Sequence, residues 1–90
     1  MNTEDILERI NELCDGLTAN VETEATDATP EHIGLICITL DSSVPEFHAA
    51  IKHKAVADII DLELATLGIT DELRFVDSDE AASVAWYEVL

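Results

Sequence analysis

Basic side chains are scarce in this chain of 90 residues: Arg9, Lys52, Lys54 and Arg74 are its only permanent cations, against 20 carboxylates, and the formal charge is −16 with neutral histidines. That shortage excludes direct binding to DNA, RNA or anionic lipid, since neutralising phosphates needs a lysine- and arginine-bearing surface. Glycine is limited to Gly16, Gly34 and Gly68, too few and too scattered to build a phosphate-cradling loop. No apolar run approaches the roughly 18 to 20 residues of a membrane span, and the opening Met1-Asn2-Thr3-Glu4-Asp5 has neither a basic nor an apolar leader segment, so a cytoplasmic location is expected. Cys14 and Cys37 lack C-x-x-C spacing and a second ligand pair, which points to buried, reduced thiols and to no metal or other cofactor.

What the chain does have is 48% hydrophobic residues, enough for a core and unlike the composition of a disordered segment. One folded domain over residues 1–90 is expected. Ile6, Leu7, Ile10, Leu13, Cys14 and Leu17 recur at helical spacing, predicting an amphipathic helix over Glu4–Cys14 with Thr3 or Asn2 as its cap and Gly16 as a left-handed stop. From Thr18 to Thr26 apolar and polar residues alternate as in a half-exposed strand. Ile33 to Leu40 is almost continuously apolar and β-branched, the pattern of an interior strand with a neighbour on each edge.

Ser43 and Glu46 have the spacing of a capping box, predicting one long helix from Val44 to Leu67 that stops at Gly68. Its apolar face is wide enough to need a sheet and, along part of its length, a second helix or another chain, which permits a homodimer. Asp71 to Asp77 reads as a short strand. Residues 81–90 are compatible with a helix capped at Asp77, or with a strand over Ala82–Val89 after a hairpin tip at Asp77-Ser78-Asp79-Glu80; Val84, Trp86, Tyr87 and Val89 favour the strand. The resulting order is α-β-β-α-β-β, an α+β two-layer sandwich with both helices on one face of an antiparallel sheet.

Catalytic constellations are weak. On one continuous helix His48 and His53 diverge by about 140° and cannot share a metal ion. Asp58 and Asp61 share a face without a converging third ligand. Asp41-Ser42-Ser43-Val44 resembles the Asp-Ser-Leu of acyl carrier proteins over little more than a dipeptide, but those are all-helical and the strand before Asp41 breaks their pattern. Ser42 also lacks a strained nucleophile turn and a base, so no enzyme activity is expected.

The charge itself is the remaining signal, because self-repulsion on this scale destabilises a compact state. Same-face strand carboxylates such as Glu22 and Glu24 lie about 6.6 Å apart, and helical ones such as Glu8 and Glu12 about 6 Å, close to the phosphate spacing of a DNA strand. The leading expectation is a small acidic protein that blocks a basic, nucleic-acid-binding protein or complex by charge complementarity or DNA mimicry. By physical type alone it is similar to phage-encoded inhibitors of restriction or CRISPR complexes. The alternatives are an immunity or adaptor protein covering a basic protein surface, and a halophilic domain whose charge serves hydration. The nominated contact carboxylates are Glu22, Glu24, Asp58, Asp61, Asp77, Asp79 and Glu80, with Trp86 or Tyr87 as an apolar anchor.

Overall fold

The computed structural model describes residues 2–23 and 30–90. Helix α1 (Thr3–Leu13) begins where the Asn2 side chain accepts a hydrogen bond from the Asp5 amide at 2.9 Å, and Glu4 and Asp5 complement its positive end. Ile6 and Ile10 bury its inner stripe. The expected left-handed stop at Gly16 is absent, for positive φ among the described glycines is confined to Gly34 and Gly68. Gly16 is needed for space instead: a Cβ there would lie 1.7 Å from Cε2 of the buried Phe47 ring.

Strands β1 (Leu17–Val21) and β2 (Ile36–Leu40) pair antiparallel, with Leu17 opposite Leu40 and Ala19 opposite Ile38. Both are shorter than the alternation implied, and residues 24–29 lie outside the described region. A 3-10 turn, Pro30–His32, precedes β2. The predicted long helix is two, α2 (Pro45–Ile51) and α3 (Val56–Leu67). The capping box does not form: Asp41 Oδ1 accepts from both the amide and the hydroxyl of Ser43, and α2 starts with Pro45 at its first turn. Asp41 is thereby held below the usual carboxylate range, chiefly by the Ser43 hydroxyl bond.

The break at residues 52–55 has a partner 24 positions away. Ala55 is extended, and the Val56 amide, an orphan donor of the first turn of α3, is satisfied at 2.8 Å by Oε2 of Glu80. Splitting the helix lets Phe47 seat against Gly16 while Val56, Ile59, Ile60 and Leu64 lie on the sheet. Gly68 ends α3 in the left-handed conformation, φ 76°, as expected.

A 3-10 turn, Thr70–Glu72, leads into β3 (Leu73–Asp79), and β4 (Val84–Val89) completes a four-stranded antiparallel sheet of order β1-β2-β4-β3. The last element is a strand, and the β3–β4 turn falls at Glu80–Ser83, later than the sequence pattern placed it. The architecture is α+β with the helices on one side of the sheet. The core lies between the layers: Ile36, Ile38 and Leu40 of β2, with Ala85 and Tyr87 of β4, face the helices. A bulge interrupts β3 between Phe75 and Asp77. Simple alternation would send Asp77 and Asp79 into the core after Leu73 and Phe75; the extra residue reverses the phase and turns both carboxylates to the opposite face.

Candidate binding surfaces

The sheet face away from the helices can be written as rows across the strands. One runs Thr18, Thr39, Val84, Asp79; the next runs Asn20, Cys37, Trp86, Asp77; Arg74 and Glu88 pair beyond them. The second row is covered at Trp86. The His32 ring stacks on the Trp86 indole with centroids 4.0 Å apart and an interplanar angle of 21°, and its Nε2 lies 3.2 Å from Asp77 Oδ2. An ionised carboxylate only accepts, so Nε2 carries the proton in this bond. His32 is 2% exposed, and its Nδ1 has no hydrogen-bond partner among the described residues. Glu22 closes the other side, accepting from Trp86 Nε1 at 3.4 Å.

The nominated residues do not form one surface: Glu22, Trp86 and Asp77 meet around His32, Asp61 meets Tyr87 on the helix side, and most are engaged within the chain. Glu22 is half-buried against Trp86. Asp77 holds His32, and Asp79 Oδ1 accepts from the Ala82 amide at 3.2 Å within the hairpin turn. Glu80 caps α3, and Asp61 on α3 accepts a hydrogen bond from the Tyr87 hydroxyl. Asp58 is exposed on α3. Glu24 lies outside the described residues. The two aromatics point to opposite faces, as adjacent strand residues must. Tyr87 enters the core at 2% exposure and Trp86 lies under His32 at 8%, so neither ring is presented to solvent in this conformation.

Burial, then the hydrogen bond to Asp61 and the charges of Asp61 and Asp58, push the Tyr87 phenol well above its ordinary value of 10.0. The folded state thus retains a proton that the unfolded chain releases near pH 10, so this contribution to stability is complete below that pH and declines above it. Tyr87→Phe is expected to flatten the loss of stability between about pH 9.5 and 11 relative to the parent protein, measured by urea denaturation at each pH.

Besides Asp58, further carboxylates without a hydrogen bond or ion pair among the described residues lie on α1, outside the nominated set. Helix α1 exposes Glu4, Asp5, Glu8 and Glu12 opposite its buried Ile6 and Ile10, and no hydrogen bond or ion pair among the described residues uses the side chains of Glu8 or Glu12. Arg9, on the same helix, is directed to the seam with α3, where its Nη1 donates to Leu67 O at 3.2 Å. Leu13, 64% exposed, ends the ridge, and an open cleft of about 360 Å³ runs along Asp5, Glu8, Arg9, Glu12 and Leu13. The signal was present in the sequence as like charges at i, i+4, an arrangement that destabilises a helix unless something else requires it.

Both cysteines are free thiols, Cys14 buried and Cys37 half-buried on the open sheet face, and burial is the main cause that raises each above the ordinary thiol value. Cys14 Sγ lies 3.6 Å from Glu63 Oε2. His48 sits on α2 and His53 in the break after it, so the angular estimate for a continuous helix does not apply. Among the described residues no group of three or more histidine, cysteine or carboxylate side chains is placed to hold a metal ion, and no helix is long and apolar enough to cross a membrane. Comparison with protein-family models, with curated proteins and with solved structures finds no match for this chain.

Proposed function

We propose that this protein is a non-enzymatic cytoplasmic binding module that occupies the basic surface of a nucleic-acid-binding protein, with the α1 ridge as its contact. The observation that supports this most is the exposed run Glu4, Asp5, Glu8, Glu12: the first two also favour the positive end of the helix, but Glu8 and Glu12 serve neither the helix nor the core among the described residues. Glu4, Glu8 and Glu12 repeat about every 6 Å along one face, the spacing at which a groove built for phosphates presents its lysines and arginines. Leu13 beside them offers an apolar contact at the rim. Electrostatic attraction of this kind accelerates association and weakens with salt.

The test is the triple variant Glu4→Lys, Glu8→Lys, Glu12→Lys beside the parent protein, each immobilised and exposed to a bacterial lysate. The parent is expected to retain basic proteins that duplex DNA then displaces. The variant, with an unchanged thermal unfolding midpoint, loses that retention by about tenfold or more. Equal retention by a folded variant overturns the ridge as contact. Partners released by salt but indifferent to DNA point to the adaptor reading, and a parent protein stable only toward molar KCl points to hydration as the purpose of the charge.

A further inference from the structure

The two edges of the sheet are treated differently. At β1 the outer edge is closed: the Asn11 side chain of α1 accepts from the Ala19 amide at 2.8 Å and donates to the Ala19 carbonyl at 3.0 Å, standing where a neighbouring strand would. At the other edge no strand lies beyond β3 among the described residues.

Which β3 groups face outward follows from the ladder. Leu90 N donates to Glu72 O at 3.0 Å, so Glu72–Leu90 is a hydrogen-bonded pair. Bonded and non-bonded pairs alternate in an antiparallel ladder, which makes Leu73–Val89 and Phe75–Tyr87 non-bonded and turns the backbone of Leu73 and Phe75 away from β4. The Leu73 amide is taken by Thr70 O. The amide and carbonyl of Phe75 are left directed at solvent, beside the bulge residue Val76.

Open edges are normally blunted by charged side chains, a proline or a bulge, because they template pairing with another chain, and β3 has Arg74 and the bulge among these devices. This edge also carries Phe75 at 46% and Val76 at 40% exposure. Next to it a cleft of about 230 Å³ opens between α3 and β3, lined by Asp61, Leu64, Thr70, Leu73, Phe75 and Tyr87. Its walls are apolar with one carboxylate at the rim, and Phe75 meets Tyr87 edge-to-face at 5.8 Å. Asp71, Asp77 and Asp79 are exposed along the same strand and its approach, whereas Arg74, its one cation, is paired with Glu88 across on β4.

We propose that the β3 edge receives an extended, lysine- or arginine-bearing segment of a partner protein as a fifth strand, with an apolar side chain of that segment seated in the α3–β3 cleft. Backbone hydrogen bonds to Phe75 supply affinity, the cleft reads the side chain, and the flanking aspartates select for positive charge. A second copy of this chain is the poorer occupant, since pairing β3 with β3 opposes strands rich in aspartate on molecules that each carry −16. The site is at the opposite edge of the sheet from α1, which lies over β1, so it does not depend on the ridge.

The probe is the capped octapeptide (Lys-Val)4, titrated into isotope-labelled protein at low salt and followed by amide chemical shifts and intermolecular Overhauser effects. Shifts are expected at Phe75 and Val76, with backbone contacts from the peptide to Phe75. The same peptide with every amide N-methylated keeps its charge and loses its donors, and should bind about tenfold more weakly. The variant Val76→Lys, placed at an exposed position and folded by its thermal midpoint, should weaken the parent peptide by a similar factor. Equal binding by the N-methylated peptide, or no binding at all, overturns the edge. Shifts confined to residues 4–13 overturn it while leaving the α1 reading intact. Shifts at β3 that grow with protein concentration alone assign the edge to a second copy and also overturn the proposal.

Discussion

Gly16→Ala is expected to destabilise the fold by about 2 kcal/mol, the cost of overpacking a filled site, which in a domain of this size lowers the thermal midpoint by about 10 °C. The added methyl would meet three atoms of the Phe47 ring, at 1.7, 2.4 and 2.9 Å. Phe47 is buried, so the ring must shift within the core before the methyl fits. Combining Gly16→Ala with Phe47→Leu should therefore cost less than the sum of the two single changes, with a coupling of about 1 kcal/mol measured by urea denaturation. Strict additivity would mean that α2 moves aside as a body and that the contact between Gly16 and Phe47 is unimportant.

Trp86→Ala is expected to cost about 3 kcal/mol and to lower the thermal midpoint by about 15 °C. The indole is the floor on which His32 stacks, and its Nε1 is the donor to Glu22. Removing it leaves the His32 ring over a void on one side while Asp77 still holds it on the other. A partner-contact role for Trp86 predicts the opposite pattern, with the thermal midpoint unchanged and the loss confined to complex formation. Circular dichroism melting of the single variant separates the two.

Local pattern was enough for some of this molecule. The apolar spacing of Ile6 and Ile10 located α1, the β-branched run through Ile36, Ile38 and Leu40 located the central strand, and Gly68 marked the end of α3, since each is set within a few residues by backbone propensity and hydrophobic period. The arrangement of helices on one side of an antiparallel sheet followed from the element order.

The rest depends on contacts far along the chain. Nothing near Lys52–Ala55 announces a break, because the group that caps α3 is Glu80. Gly16 resembles a helix stop, and only the position of Phe47 reveals why a side chain is excluded. Which of Trp86 and Tyr87 enters the core is settled by the register with Cys37 and Ile36, not by residue type. The nominated acidic residues were chosen as if every carboxylate faced water freely, yet Glu22, Asp61, Asp77 and Glu80 each satisfy a donor of the fold. Telling a structural carboxylate from an idle one requires knowing its donor, and α1 stood out only after the others were assigned.

The bulge in β3 also has a bearing on how the molecule can be watched. By turning Asp77 toward His32 it pins an imidazole over the sole indole of the protein, so the tryptophan fluorescence of this chain comes from a ring shielded on one face by that clamp and at its Nε1 by Glu22. Any event that lifts the Pro30–His32 turn will wet that fluorophore and redden its emission, giving a label-free optical signal for motion on the sheet face remote from the helices.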